Sequence, residues 1–143
     1  TAYEISLGLV GSEMCIRDST KGIVAHIDSI AFVAAEAAYA KTDKWHKELI
    51  QYLKDNREML VKRINKIKGL SLRGPEAGFL AWIDCRETGL ENPSNFFIDE
   101  AKVGVYDGAW FGNKDYVRLN FGCPRFLLEE AINRIEKAFS QRI

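Results

Sequence analysis

The segment YVRLNFGCPR, residues 116–125, places an arginine where it could bind an anion. The alternation of residue types predicts a β-strand with Val117, Leu119 and Phe121 on one face and Arg118 on the other. No acidic residue stands next to Arg118 in the sequence. Because a guanidinium presents a planar fork of N–H donors that fits a carboxylate bidentately, we predict that Arg118 binds an anion from outside the chain. The alternative is a surface ion pair with one of the protein's own acids.

The cysteines and histidines are weaker candidates for chemistry. Cys123 precedes a predicted helix, where a thiolate is favoured, but no histidine stands nearby to serve as a base. We therefore predict no catalytic role for Cys123 and a small buried residue at the start of the helix. The remaining cysteines and histidines show no spacing typical of metal ligands; they are Cys15, Cys85, His26 and His46.

The segment KVGVYDGAWFG is rich in glycine and aromatic residues. Its glycines match neither GxGxxG nor GxxxxGK, so they predict a loop with backbone freedom near the mouth of a site rather than a phosphate-binding loop. Trp110 and Phe111 could close off a substrate, but the prediction for both is packing in the protein interior.

Composition excludes several classes of function. The chain has 143 residues, of which 47% are apolar and 28% charged, and its formal net charge is zero. This balance indicates an ordinary globular domain and argues against nucleic acid or an anionic membrane as the main partner. The most apolar window, residues 22–40, contains His26, Asp28 and Glu36 and is too polar to span a bilayer. Three widely spaced cysteines favour a reducing compartment, so we expect a cytoplasmic protein.

The first nineteen residues do not follow the pattern of the rest. Their apolar residues keep neither a helical nor a strand period, and SLGLVGSEMCIRDS resembles a translated adapter sequence. We expect residues 1–19 to be a non-native or disordered head, with a genuine N-terminal arm as the alternative. On the first interpretation, the natural protein continues upstream of Thr20.

Two helices are predicted next. Residues 28–40 are rich in alanine, with Asp28 or Ser29 as the N-cap. Thr42 can cap a second helix whose apolar residues recur every three or four positions to Ile67, with Lys66 and Lys68 in its last turn. The stripe is predicted to be core, aromatic residues included: Trp45, Leu49, Tyr52, Met59, Leu60, Ile64 and Ile67. A helix of this length, about 40 Å, commonly bridges two domains.

The period changes after Gly69. A short strand, a second strand at about 79–84, a helix from about 92, a brief strand, the strand at 116–121 and a helix at about 124–140 are predicted. The order β-β-α-β-β-α predicts an α+β fold, in which helices cover one face of a small, mostly antiparallel sheet. Arg118 would then stand on the uncovered face.

Several segments in fixed order resemble one family. PEAGFLAWIDCRETGL, AKVGVYDGAWFG and YVRLNFGCPRFLLEEAINRI resemble the small C-terminal domain of pyridoxal-phosphate-dependent enzymes with the class I/II aminotransferase fold (fold type I). Within that group they are most similar to C–S β-lyases of the cystathionine β-lyase type. The resemblance implies that residues 20–41 are a remnant of the large cofactor-binding domain and that residues 42–143 are the small domain.

The resemblance also implies a function. It implies that Arg118 binds the α-carboxylate of an amino-acid substrate, and that the whole enzyme is a homodimer. It implies a β-elimination from cystathionine or related cysteine S-conjugates that yields pyruvate, ammonia and a thiol. The catalytic lysine and most cofactor-binding groups belong to the large domain of such enzymes, so no catalytic, cofactor-binding or metal-binding residue is assigned here, and the chain alone is expected to be inactive. The alternatives are an aminotransferase small domain and a free-standing α+β anion-binding module.

Overall fold

The computed structural model describes residues 28–142. The predicted head at 1–19, residues 20–27 of the predicted large-domain remnant at 20–41, and both Cys15 and His26 lie outside the described residues. The chain divides after Asp43 into two units. The elements in chain order are α1 (Ser29–Lys41), α2 (Asp43–Ile64), β1 (Ser71–Leu72), β2 (Leu80–Asp84), α3 (Pro93–Asp99), β3 (Tyr106–Asp107), β4 (Tyr116–Asn120) and α4 (Arg125–Ser140), with short 3₁₀ turns at Arg86–Thr88 and Gly108–Phe111.

The described part of the first unit is helix α1. Its N-cap is Asp28, whose carboxylate accepts a hydrogen bond of 2.7 Å from the backbone N–H of Ala31, as the sequence predicted. None of the residues of α1 is buried. At its C-terminal end the hydroxyl of Thr42 donates to the carbonyl of Ala38. The prediction that Thr42 caps the second helix is therefore wrong, because its side chain is directed back to α1.

Helix α2 is shorter and less buried than predicted. It ends at Ile64, so Lys66 and Lys68 follow the helix instead of forming its last turn. Its buried residues start at Asn56, whereas Trp45 is 61% exposed and Tyr52 37% exposed. The prediction that the aromatic residues of this helix are core is wrong. A helix of 22 residues is about 33 Å long, whereas a five-residue strand covers only about 17 Å, so the sheet can bury only part of it.

The four strands form one antiparallel sheet in the order β1-β2-β4-β3. The long central pair, β2 and β4, aligns Trp82 with Arg118 and Ile83 with Val117. The short edge strand β3 aligns Tyr106 with Arg118 from the other side. The predicted element order and the small sheet with helices are confirmed, and the sheet is antiparallel throughout the described residues.

The core lies between one face of the sheet and the helices. It contains the alternate residues of β2 and β4 and the apolar stripes of α2, α3 and α4; its members include Leu60, Ile64, Leu72, Ala81, Ile83, Phe97, Val117, Leu119, Leu128, Ile132, Ile135 and Phe139. Strand side chains alternate between the two faces of a sheet, so the residues between these core positions belong to the opposite, open face. That face carries the candidate site.

Candidate functional site

Arg118 lies in the middle of the open face. The burial of β4 alternates, with Val117 and Leu119 buried and Arg118 only partly buried between them. In the sheet register Arg118 stands between Trp82 on β2 and Tyr106 on β3. The strand geometry predicted from the sequence is therefore observed, and Arg118 is flanked by aromatic residues on both neighbouring strands.

The guanidinium of Arg118 lies against aromatic rings. Its Cζ is 4.7 Å from the ring centroid of Tyr106 and 4.3 Å from that of Phe111. Both distances are within the range of cation–π attraction. Phe111 in turn meets Trp82 edge to face at a centroid distance of 5.8 Å. Since a ring has no lone pair to accept a strong hydrogen bond, these contacts leave the N–H donors of the arginine available.

Arg118 has no hydrogen-bond acceptor among the residues that the structure describes. Its Nε is buried and has no hydrogen-bond partner, and within residues 28–142 the side chain forms no ion pair. A buried donor without a partner costs about 1–3 kcal/mol, so such groups call for an explanation. The alternative of an ion pair with the chain's own acids is not realised in the described part of the chain. Because Nε itself is buried, an external carboxylate would be met by the two Nη groups, which have no acceptor in the described residues either.

The acid nearest to this region on β2 already has partners. Asp84 accepts hydrogen bonds from the guanidinium of Arg86, with Nη2 at 2.7 Å from Oδ2, and from the hydroxyl of Tyr116 at 3.0 Å. The Arg86 hydrogen bond, together with that from Tyr116, lowers the pKa of Asp84 to about 2. Asp84 is therefore ionised at neutral pH, but Arg86 compensates its charge.

The rings of Trp82 on β2 and Tyr116 on β4 separate the Asp84–Arg86 ion pair from Arg118. Their rings stack at a centroid distance of 5.4 Å with 13° between the planes. On β2 Trp82 faces Arg118, and Asp84 is two residues further along. The open face thus carries one compensated charge pair and one uncompensated cation, with an aromatic pair between them.

The acid on β3 is directed to other partners. Asp107 aligns with the buried Val117, and its carboxylate accepts hydrogen bonds from the backbone N–H of Ala109 at 2.8 Å and from the hydroxyl of Ser94 at 3.1 Å. Asp107 therefore caps the 3₁₀ turn that follows β3 and ties it to helix α3. Its role is to position the turn, and this leaves Arg118 unpaired.

The turn that carries Phe111 depends on glycine. A Cβ at Gly108 would come within 2.2 Å of the carbonyl oxygen of Asn113 and 2.3 Å of that of Tyr116, so no side chain fits there. Gly112 ends the turn with φ of 86°, in the left-handed region that glycine adopts without strain. Of the glycines in the predicted loop, only Gly112 uses the backbone freedom of glycine, whereas Gly108 is needed for close packing on β4, which brings Phe111 to Arg118.

Trp110 and Phe111 are both more exposed than predicted. Trp110 is 73% exposed and Phe111 48% exposed, so the prediction that they pack in the interior is wrong. The physical reason is that the turn lies on the open face of the sheet, where no helix of the described residues covers it. The alternative interpretation, that they border a site, agrees better with this exposure.

A buried polar residue of α2 fixes the end of β4. The amide of Asn56 donates to the carbonyls of Phe121 at 3.3 Å and Cys123 at 3.2 Å, and its oxygen accepts from Nε of Arg125 at 3.1 Å. The segment that leaves β4 is thereby held on helix α2. Nothing in the sequence pattern distinguished Asn56, since it stands among polar neighbours and its partners are 65 residues or more away.

Neither described cysteine, Cys85 nor Cys123, is activated. Burial raises the pKa of the Cys123 thiol, and it raises that of Cys85 to about 12. In residues 28–142 no group of histidine, cysteine and acidic side chains could hold a metal ion. None of the helices in this part of the chain is long and apolar enough to cross a membrane.

Two surface cavities accompany the sheet. One of about 410 Å³ borders the open face and is lined by Trp82, Asp84 and Tyr116 together with residues of the β1–β2 connection. The other, of about 710 Å³, lies near the end of α4 and includes Phe139 and Arg142. Arg118 lines neither of these two cavities, so the candidate site is identified by the side chains around Arg118 and not by a cavity.

Comparison with known proteins gives one consistent family. Residues 15–135 match the family model for aminotransferase class I and II. Cystathionine β-lyase from Corynebacterium glutamicum is 37% identical over 111 residues, which are 76% of this chain and 30% of that protein. Among solved structures, OvoB is 44% identical with a TM-score of 0.80, covering 85% of this chain and 32% of the other. The PLP-bound C–S lyase from Staphylococcus hominis is 26% identical with a TM-score of 0.73, covering 84% and 33%. The chain thus spans about a third of the length of the relatives it matches.

The residues of the open face fit a substrate carboxylate better than a complete cofactor site. The fork of Arg118 is free, but the strands β2, β3 and β4 carry no lysine that could bond to the aldehyde of pyridoxal phosphate. At Gly108 the turn is closed by the carbonyl oxygens of Asn113 and Tyr116, which would repel a phosphate. No chemical step is therefore assigned to the cofactor on these residues alone.

Proposed function

Since the chain belongs to the aminotransferase class I and II family, we propose that it is the small domain of a pyridoxal-phosphate-dependent lyase, in which Arg118 binds the α-carboxylate of the substrate. The proposed reaction cleaves the C–S bond of cystathionine or a related cysteine S-conjugate and releases pyruvate, ammonia and a thiol. The observation that carries the proposal is the guanidinium of Arg118, which lies on the open face against two aromatic rings and has no partner within residues 28–142. The similarity to C–S lyases supports the choice of reaction.

The role of Arg118 in this reaction is to bind and orient. Pyridoxal phosphate, when bound to the whole enzyme, supplies an electron-accepting ring that stabilises a carbanion at Cα. A bidentate pair would hold both carboxylate oxygens and thereby fix the carboxyl group that is bonded to Cα, which restricts the direction of the Cα–H bond. The aromatic surroundings exclude water from the sides of the guanidinium, which strengthens its attraction for the carboxylate.

Substitution of Arg118 in the whole enzyme that contains this sequence tests the proposal. We expect Arg118→Gln to lower kcat/KM for cystathionine on the order of a hundredfold or more, because it removes two charge-assisted hydrogen bonds. The matched control is Arg134→Gln, which removes an exposed arginine of α4 paired with Glu130, and its activity should stay near that of the wild type. Release of pyruvate is measured. Equal activities for the two variants would contradict the assignment of Arg118.

An aminotransferase is the second candidate, because the matching family model covers aminotransferases. A carboxylate-binding arginine on the small domain serves both reactions equally well, so Arg118 does not discriminate between them. The whole enzyme should release pyruvate and ammonia from cystathionine without an added oxo acid. Product formation that requires an added oxo acid, with transfer of the amino group to it, would favour the aminotransferase.

A free-standing anion-binding module is the third candidate, since residues 44–142 have a core of their own. On the enzyme proposal, the 143-residue chain mixed with pyridoxal phosphate should show only the absorbance of the free cofactor, because the lysine of the large domain is needed for covalent binding. A new absorbance band typical of a lysine-bound cofactor would contradict this expectation. Millimolar or tighter binding of acetate to the chain alone would favour the module.

Two further properties of the whole protein are part of the proposal. We propose a homodimer, which size-exclusion chromatography with light scattering would detect. We also propose a cytoplasmic location, which the free thiols Cys85 and Cys123 support. An extracellular or periplasmic location of the tagged whole protein would contradict it.

A further inference from the structure

We infer that Tyr106 and Phe111 form an aromatic clamp that positions Arg118 without occupying its N–H donors. The inference rests on the proposed function, since it concerns how the carboxylate-binding arginine is kept in place and available. The clamp is defined by the two ring contacts of the guanidinium, at 4.7 Å for Tyr106 and 4.3 Å for Phe111. Both are positioning residues, because they would act on the substrate through Arg118.

The two rings belong to a strand and to the turn that directly follows it. Tyr106 is fixed by the antiparallel register of β3 with β4, which aligns it with Arg118, and its ring meets Trp110 of the turn edge to face at 5.9 Å. Phe111 is fixed by the glycine-dependent turn and by its contact with Trp82. The guanidinium is therefore bordered by two rings whose backbone positions are set by the sheet register and by the packed turn.

An aromatic clamp solves a problem that an acidic partner would create. A carboxylate beside Arg118 would hold it in place, but it would accept the same N–H donors that the ligand needs. A ring attracts the cation through its quadrupole and leaves these donors without an acceptor. The nearby acids Asp84 and Asp107 are bonded to other groups, which agrees with this interpretation. The unsatisfied Nε of Arg118 is the direct consequence.

The nuclear magnetic resonance of the arginine side chains tests the clamp in the 143-residue chain. The N–H signal of Arg118 Nε is identified by its disappearance in Arg118→Lys, and ring currents from two close rings should displace it from the signals of exposed arginines. We expect Phe111→Leu and Tyr106→Leu each to shift this signal toward those of exposed arginines and to speed its exchange with water. Tyr106→Phe keeps the ring and should leave the signal unchanged.

The control is Phe126→Leu, which removes an exposed aromatic ring of α4 that makes none of the cation–π contacts of Arg118 within residues 28–142. Its effect on the Arg118 signal should be smaller than that of Phe111→Leu. If neither Phe111→Leu nor Tyr106→Leu moves the Arg118 signal, the clamp is refuted. A shift of equal size in Phe126→Leu would also refute it, because the change would then not depend on the rings beside Arg118.

A second measurement separates the clamp from the proposed function. In the whole enzyme, each ring-to-leucine substitution should lower kcat/KM for cystathionine by about threefold to thirtyfold and should reduce the preference for cystathionine over its α-carboxamide. Tyr106→Phe should retain both values. Suppose that the Arg118 signal is displaced in the wild-type chain but that the whole enzyme with Arg118→Gln keeps full activity. This pair of results would support the clamp and contradict the carboxylate-binding role of Arg118. Ring variants that alter the signal but leave the preference for the carboxylate unchanged would refute the positioning role.

Discussion

Replacement of Arg118 by leucine should affect function and stability very differently. In most proteins the loss of a partly buried arginine removes hydrogen bonds and lowers the free energy of unfolding. Here the structure gives Arg118 no internal acceptor, and its Nε is buried without a partner. We therefore expect Arg118→Leu to abolish carboxylate binding while the fold keeps nearly its full stability.

The magnitude follows from two opposing contributions. Removal of an unsatisfied buried donor relieves a cost of about 1–3 kcal/mol. Loss of two cation–π contacts on a partly exposed face costs roughly 0.5–1 kcal/mol each. The two contributions nearly cancel, so the free energy of unfolding should change by less than about 1 kcal/mol. In the whole enzyme, kcat/KM for cystathionine should fall on the order of a hundredfold or more.

The assay is urea unfolding of the 143-residue chain, followed by far-ultraviolet circular dichroism. Arg125→Leu is the matched control, because Arg125 is also partly exposed and also lies against an aromatic ring, that of Tyr52 at 4.9 Å. Unlike Arg118, it donates from Nε to the buried amide oxygen of Asn56. Its replacement should lower the free energy of unfolding by about 1–3 kcal/mol, because that oxygen loses its donor.

Comparison of the unfolding free energies of Arg118→Leu and Arg125→Leu tests whether Arg118 lacks an internal partner. A loss of 2 kcal/mol or more in Arg118→Leu, similar to that in Arg125→Leu, would mean that Arg118 has an internal partner in solution. The interpretation of Arg118 as an uncompensated cation waiting for a ligand would then be wrong. Full activity of the whole enzyme with Arg118→Leu would refute the functional half independently.

Three further substitutions test how the site is built. Gly108→Ala should lower the free energy of unfolding by about 2 kcal/mol or more, because the added Cβ would overlap two backbone carbonyl oxygens at 2.2 and 2.3 Å. In the same urea titration Gly104→Ala should have almost no effect, because a Cβ at that position meets no atom within 4 Å. Asn56→Ala should lower the free energy of unfolding by at least about 2 kcal/mol, because two carbonyls and the Nε of an arginine lose their partner. Asn133→Ala on the surface should lower it by less than half as much, and equal losses would contradict the role of Asn56. The pKa of Asp84 is lowered to about 2 from a usual value of 3.8, so the ionised carboxylate stabilises the fold fully above pH 4, and this stabilisation is lost as the pH falls through 2. The unfolding free energies of the wild type and of Asp84→Asn should therefore approach each other on acidification. A difference between the two that stays constant from pH 5 to pH 2 would refute the assignment.

The fold was largely predictable because its signals are local. Alternation in 116–121 and the three-to-four spacing in the last helix depend only on neighbouring residues, and both elements are observed close to the predicted bounds. The extent of the long helix and its burial were not predictable in the same way. Trp45 and Tyr52 continue the apolar stripe but are exposed, because burial depends on how far the sheet extends along the helix. A spacing pattern gives the direction of a side chain but does not show what covers it.

By itself, the sequence determined that Arg118 stands on a strand face opposite to the core, because the period of a strand follows from backbone geometry alone. It could not determine what surrounds that arginine. Tyr106 and Phe111 precede it by twelve and seven residues, Trp82 by 36, and only the strand register and the turn packed on Gly108 bring their rings to its guanidinium. The tertiary structure also decided that Asp84 and Asp107 are bonded elsewhere and that Arg118 keeps its donors free. Those outcomes depend on distances between residues that are separated in the chain. Strand pairing sets these distances, and no local sequence pattern encodes them.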